Sequence, residues 1–187
     1  MSRAGKRTMV AAIEENIMTI ADTELLVTRQ GVRLHVRRAR GEDETALAAF
    51  FAHVSPEDLR FRFLTGVREV SHERLRSMID TNDRHTESLI AFADDGSILA
   101  AAMLAGDDHS TTAEAAIAIR HDMKRQGIGW TLLDHLVEHA RRKGYRTIEA
   151  IEDRENRSAI MIEKEMGFEP HAVEGDPMLV LLKRNIA

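Results

Sequence analysis

Arg120-His121-Asp122-Met123-Lys124-Arg125-Gln126-Gly127-Ile128-Gly129 lies between an apolar strand pattern and a strongly amphipathic helix pattern. Beyond Gly129 the apolar residues fall at Leu132, Leu133, Leu136, Val137 and Ala140, with Ile128 just ahead of them. That spacing gives a helix one buried face. Two glycines at a helix start let the backbone curl closely around a ligand. The first N–H groups of a helix have no partner within it and sit at the positive end of its dipole. Such a turn suits phosphate, and Lys124 and Arg125 add positive charge beside it. The stretch therefore points to a phosphate-bearing ligand held by main chain at a strand-to-helix junction.

Named phosphate loops differ in the residues next to their glycines. A Walker loop needs Gly-Lys-Ser/Thr, but Gly129 is succeeded by Trp130-Thr131. A dinucleotide fingerprint needs a third small residue where Leu132 stands, directly after a strand. Here Arg120 to Gln126 intervene, although Glu149 lies near the spacing of a ribose-binding acid. Lys124-Arg125-Gln126-Gly127-Ile128-Gly129 resembles the pyrophosphate loop of the GNAT superfamily of N-acetyltransferases, Gln/Arg-x-x-Gly-x-Gly/Ala, with Lys124 a conservative departure. A glycine-containing helix entry with no ligand is the bland alternative for the hexamer alone.

A second landmark agrees. Asn156-Arg157-Ser158-Ala159-Ile160, with Met166-Gly167-Phe168 after it, is similar to the Asn-x-x-Ala … Gly-Phe signature of that family's later helix. Within the superfamily, Phe50 to Phe63 and Ala113 to Ile119 look like the GNAT domains of bacterial protein lysine acetyltransferases.

The rest of the chain fits this frame. At 187 residues it suits one domain with a substantial core. With 43% hydrophobic but only 4% aromatic residues, that core must be built mainly from Ala, Leu, Ile, Val and Met. A net charge of −5 argues against a general nucleic-acid binder. No cysteine is present, which excludes disulfides and thiolate chemistry and suits the cytoplasm. The apolar run Met9 to Ile13 stops at Glu14-Glu15, too short for a signal peptide, and no run reaches membrane-spanning length.

Residues 1–22 read as an N-terminal extension with a short helix over Met9 to Ile20, a segment suited to motion or to association as a homodimer. Residues 23–187 read as the GNAT domain. Strands are expected over Glu24 to Thr28 and Val32 to Arg38. Helices come next, over Glu42 to Val54, from Ser55-Pro56-Glu57-Asp58 onward, and from Ser71 to Met78. Ser55 caps, Pro56 suits the first position and Asp58 resembles a capping-box acid. Strands over Ser88 to Ala93 and Ile98 to Leu104 form a hairpin, and a turn at Asp107-Asp108-His109 leads to a strand over Thr111 to Ile119. A helix from Gly127 to Lys143, a strand from Arg146, a helix from Asn156 to Met166 and two closing strands complete the order β-β-α-α-α-β-β-β-α-β-α-β-β. The expected class is α/β: a mixed, mostly antiparallel sheet flanked by helices. The resemblance adds a splay between the family's fourth and fifth strands.

The resemblance implies acetyl-CoA as co-substrate and a primary amine as acceptor, attacked directly in a ternary complex. A protein lysine is preferred; a small-molecule amine, or a silent acyl-CoA-binding regulatory module, are the alternatives. It assigns the pantetheine arm to Ile117, Ala118 and Ile119. It assigns the pyrophosphate to the loop of Lys124, Arg125, Gln126, Gly127, Ile128, Gly129 and Trp130, and brings Asn156 to the pantetheine or the thioester side. No metal, nucleic acid or membrane is implied.

Glu114 is the expected general base, a lone carboxylate in the apolar run Ala113 to Ile119. A lysine amine has a pKa of about 10.4, so its neutral form costs about 4–5 kcal/mol near neutrality. The bland reading is a solvent-facing strand carboxylate. For the general acid, many GNAT enzymes use a tyrosine seven residues after the signature asparagine; here that position is Glu163. It reads as a surface helix residue, Tyr145 reads as structural, and no acid is assigned. His135-Leu136-Val137-Glu138-His139 matches an inverted zinc-protease motif, but its residues do not share a helical face with the right orientation. Arg29, Arg33, Arg37, Arg38, Arg40, Arg60, Arg62 and Arg68 read as a solvated face, or as a rim for the 3′-phosphate or an acidic partner.

Overall fold

Arg33, His35 and Arg37 alternate with buried Leu34 and Val36 along a strand, Arg33–Arg38, that is second in the order of the sheet. The computed structural model describes residues 23–66, 69–80, 85–106 and 111–187. The helix expected over Met9 to Ile20, the turn at Asp107-Asp108-His109 and Arg68 lie outside those residues.

The described strands are β1 (Glu24–Val27), β2 (Arg33–Arg38), β3 (Thr86–Phe92), β4 (Ile98–Gly106), β5 (Thr112–Ile119), β6 (Thr147–Asp153), β7 (Glu169–Ala172) and β8 (Leu179–Asn185). The helices are α1 (Glu44–Phe51), α2 (Pro56–Phe63), α3 (His72–Ile79), α4 (Ile128–Arg142) and α5 (Arg157–Glu165). The expected element order holds. The strands form one sheet in the order β1-β2-β3-β4-β5-β6-β8-β7. Every neighbouring pair is antiparallel except β5 and β6. The parallel step needs a crossover, which α4 supplies.

Several boundaries move for local reasons. The first helix begins later than expected, after a 3-10 turn at Gly41–Asp43. Buried Asp43 holds that turn: it accepts two 2.7 Å hydrogen bonds from Arg37 and one of 2.7 Å from Arg40 N–H. Ser55 caps α2 by accepting from Asp58 N–H at 3.2 Å. The Asp58 carboxylate does not complete a capping box; it accepts from Ser55 Oγ and from Lys124 instead, each at 2.5 Å. Ser71 caps α3 through Arg74 N–H.

Helices cover both faces. On one, Ile128, Leu132, Leu136, Val137 and Ala140 of α4 pack with Leu34, Leu89, Ala113, Ile148 and Leu182 from five strands. On the other, Leu47, Phe50 and Phe51 of α1 join Leu59, Leu75 and Ile79 over Ile90, Ile98 and Ala118. Alanine dominates the middle of β4 and β5, so the helices can lie close to the sheet there.

Candidate active site

β5 and β6 pair through only three residues, Thr112↔Thr147, Ala113↔Ile148 and Glu114↔Glu149. Beyond Glu114, β5 continues against β4 to Ile119, while β6 continues against β8 to Asp153. The two strands therefore part in the middle of the sheet, as expected from the family's splay. The opening is a cleft of about 150 Å³ lined by β5, β6, α2, α5 and the start of α4.

Two ion-pair ties hold α2 beside it. Arg60 reaches Asp153 and Glu155, each at 2.6 Å, which joins α2 to the end of β6. Asp58 takes Lys124 Nζ at 2.5 Å, which joins α2 to the loop ahead of α4. Arg62, on the same helix, also lines the cleft. Burial lowers its pKa, Glu114 and Glu152 pull it back up, and Arg74 adds to the lowering. The Arg62 guanidinium thus feels the charges of both cleft carboxylates, and it lies against Met103 Sδ instead of in a solvated arginine face. The other arginines are engaged elsewhere: Arg29 stacks on Trp130, Arg33 pairs with Asp94, Arg37 with Asp43 and Arg38 with Glu87.

The glycine loop turns as its sequence requires. Gly127 has φ +77° and precedes the first helical residue. A Cβ there would meet only the movable end of Gln30 at close range, so it is the positive φ that calls for glycine. Arg125 is also left-handed, at φ +63°. Thr131 N–H bonds Gly127 O at 3.1 Å, which leaves the N–H groups ahead of it without a helical carbonyl to reach. Lys124 and Gly129 line the cleft together with Glu114, Ile117, Ala118, Ile119 and Asn156. The side chain of Ile128 is core, and that of Trp130 carries Arg29.

Glu114 sits at the last paired position of β5, directly beside Glu149. Burial and the Glu149 charge raise its pKa, and Arg62 opposes them. Glu149 has Lys183 Nζ 2.9 Å from Oε2, close as an ion pair but not aligned as a hydrogen bond.

One expectation is overturned. Glu163 is 4% exposed, not a surface residue. Its carboxyl interacts directly with that of Glu152, and its buried Oε2 receives no hydrogen bond from a donor among the described residues. Both line the cleft, and Asn156 Nδ2 donates to Glu152 Oε2 at 2.7 Å. Burial raises both carboxyls, and Glu152 raises Glu163 further by repulsion and by their direct interaction. Two carboxyls that interact in a desolvated wall disfavour each other's ionisation. Sequence reading passes over Glu152, takes Glu163 for a surface residue and groups Arg62 with the other arginines; all three line the cleft.

The remaining candidates are structural. Tyr145 packs over Gly106, where a Cβ would lie 2.5 Å from its hydroxyl. His139 is bound to Glu87, Glu138 to Arg141, and the His135 and His139 rings stack 6.3 Å apart. Among the described residues no group of three or more His, Cys, Asp or Glu is placed to hold a metal ion.

Comparison with known proteins gives the same frame. The sequence model described as the Acetyltransferase (GNAT) family matches residues 54–168, more than half of the chain. Acetyltransferase PA5475 of Pseudomonas aeruginosa is 27% identical over 131 residues, covering 68% of this chain and 70% of that protein. The GNAT domain of S. lividans PAT superposes with a TM-score of 0.80 at 20% identity, covering 87% of this chain and 96% of that one. A spermidine N-acetyltransferase from Vibrio cholerae, in complex with CoA and spermine, superposes with a TM-score of 0.68 at 15% identity, covering 81% and 95%.

Proposed function

The chain belongs to the GNAT acetyltransferase family, and from that premise we propose that it moves acetyl from acetyl-CoA to a lysine side chain on a protein, with Glu114 as general base. The observation that carries this reading is the parting of β5 from β6 beside Glu114, with the loop of α4 opening onto the same cleft.

The residues present fit acetyl-CoA. Backbone N–H groups of Arg125 to Trp130 at the start of α4 suit the pyrophosphate. The open edge of β5 at Ile117, Ala118 and Ile119 suits the amides of the pantetheine arm, and Asn156 lines the same cleft. Acetyl-CoA, when bound, supplies an activated acetyl thioester. Glu114 takes a proton from the acceptor ammonium, so that a neutral amine nitrogen can form the new N–C bond. Its raised pKa suits this task, because a base poised nearer neutrality accepts a proton more readily than an ordinary carboxylate. Arg62 faces Glu114 and balances its charge in the ionised form. The acceptor class rests on the likeness of residues 50–63 and 113–119 to protein lysine acetyltransferase domains.

Glu114→Gln keeps the shape and removes the basicity. Turnover should fall on the order of 10²-fold or more near neutrality, with acetyl-CoA affinity nearly unchanged. Since Glu114 must be ionised to act, wild-type turnover should rise with pH through its raised pKa. The variant should lack that rise and gain instead as the amine itself deprotonates. Parallel pH–rate profiles for the two proteins would remove Glu114 from this role. Mass spectrometry of a proteome incubated with the protein and acetyl-CoA tests the acceptor; acetylation of free amines without any protein lysine would move the assignment to a small molecule.

A further inference from the structure

The departing thiolate needs a proton, and Glu114 faces the wrong task to give one, because it must be ionised at the start of the reaction. The cleft holds a second acidic unit that this mechanism leaves idle. The Glu163 carboxyl on α5 and the Glu152 carboxyl on β6 interact directly, in a wall that offers Glu163 Oε2 no donor among the described residues. A cluster of acids alone would mean little. Here one member is only 4% exposed, it lines the ligand cleft, and its Oε2 is buried with no hydrogen-bond donor among the described residues.

The surroundings of the pair explain why it holds a proton. On β6, Asp153 adds negative charge next to Glu152 in the chain. At the start of α5, Asn156 donates to Glu152 and steadies its charge. From α2, Arg62 acts on Glu152, and from β5, Glu114 acts on Arg62. The start of α4 faces α5 through Gly129, against Ile162, and the loop ahead of it contributes Lys124, paired with Asp58, to the cleft lining. The compensation thus falls on Glu152, which favours Glu163 as the member that keeps the proton.

Resting on the acetyl-transfer reading, we propose that Glu163 is a catalytic general acid, and that Glu152 is a positioning residue that holds the proton on it. As the amine nitrogen bonds to the acetyl carbon and the carbon–sulfur bond breaks, Glu163 gives its proton to the sulfur. Glu114, having already passed the ammonium's first proton to solvent, meanwhile gains the second proton, lost as the nitrogen becomes an amide. The products are the amide, the free thiol, a protonated Glu114 and an ionised pair beside Arg62. Transfer of one proton through solvent from Glu114 to the pair restores the starting state; from ammonium and thioester to amide and thiol, one net proton is released to solvent and no electrons are exchanged.

The test begins without ligand. Carbon-13 NMR of labelled glutamate carboxyls, tracked from acid to alkaline pH, should show a carboxyl still protonated at neutrality in the wild type and missing from Glu163→Gln. With acetyl-CoA and one amine acceptor, Glu163→Gln should lose turnover by about 10²-fold and lose the alkaline fall of the pH–rate profile. Glu152→Gln should keep an acid but move that fall to lower pH, because the like charge no longer holds the proton on Glu163. A merely structural pair would leave the shape of the profile intact. The acid role is overturned if no carboxyl is protonated at neutrality, or if Glu163→Gln keeps wild-type turnover and its alkaline fall. Should Glu163→Gln not fold, the wild-type titration and Glu152→Gln decide: an unshifted fall overturns the proposal. Wild-type turnover with an unaltered Glu163→Gln sinks the acid alone. Wild-type protein that binds no acetyl-CoA, and releases no thiol with any amine, sinks the acetyl-transfer reading and the acid with it.

Discussion

At Gly129 an added Cβ would meet only Ile119 Cδ1 at 3.4 Å and Ile162 Cδ1 at 3.5 Å, both ordinary contacts. Gly129→Ala should therefore fold and bind acetyl-CoA almost as the wild type does. Gly129→Glu should fold but lose binding, because a carboxylate would stand where the loop receives phosphate. Calorimetry of folded Gly129→Glu with unchanged CoA affinity would refute the loop assignment. Single residues differ in how far the sequence exposes them. Glu114 is legible because it interrupts an apolar strand. Glu163 carries a comparable signal that is easier to miss. It lies four and three residues after Ala159 and Ile160 and three before Met166, on the helical face they share. Glu152 likewise keeps step with buried Ile148 and Ala150 along β6. What no pattern within one element supplies is that these two carboxyls meet, since one is set by a sheet register and the other by a helix rotation.

Among the elements, β5 is the one whose two edges differ most. Toward β4 it is paired along its length from Ala113 to Ile119; toward β6 the pairing ends at Glu114. Backbone N–H groups of residues 115–119 that face the gap should exchange rapidly with solvent in the ligand-free protein. Bound CoA should slow them and spare those paired with β4. Hydrogen exchange unaltered across residues 115–119 at saturating CoA would count against the pantetheine assignment. The order and type of the elements are legible from period and punctuation, with Gly144 and Gly167 at helix ends. The late start of α1 is not, because it depends on Asp43 being drawn under Arg37, a contact made by the fold. The splay is legible only through family likeness; nothing in the residues of β5 announces where its partner leaves.

For the molecule as a whole, buried carboxylates make stability depend on pH in opposite senses. Asp43 is penalised by burial, but the Arg37 hydrogen bonds and Arg40 N–H prevail and lower its pKa. Its contribution is present above the unfolded value and is lost as pH falls through the folded one. Glu152 and Glu163 are raised. Between the unfolded glutamate value, about 4.3, and their raised folded values, the native state binds more protons than the unfolded state. Stability therefore falls as pH rises across that window, by up to about 1.4 kcal/mol per pH unit for each proton. Glu163→Gln should be relatively stabilised toward neutrality, and urea unfolding at several pH values should show its difference from wild type widening with pH. A difference independent of pH would mean that the pair titrates normally. The three-residue junction of β5 with β6 has a mechanical side as well. It is a seam in the middle of the sheet, spanned by few backbone bonds and by the Arg60 and Lys124 side-chain ties of α2. Under tension the sheet should tear along this line first, and a ligand lying in it would act as a rivet, stiffening the protein where it is softest.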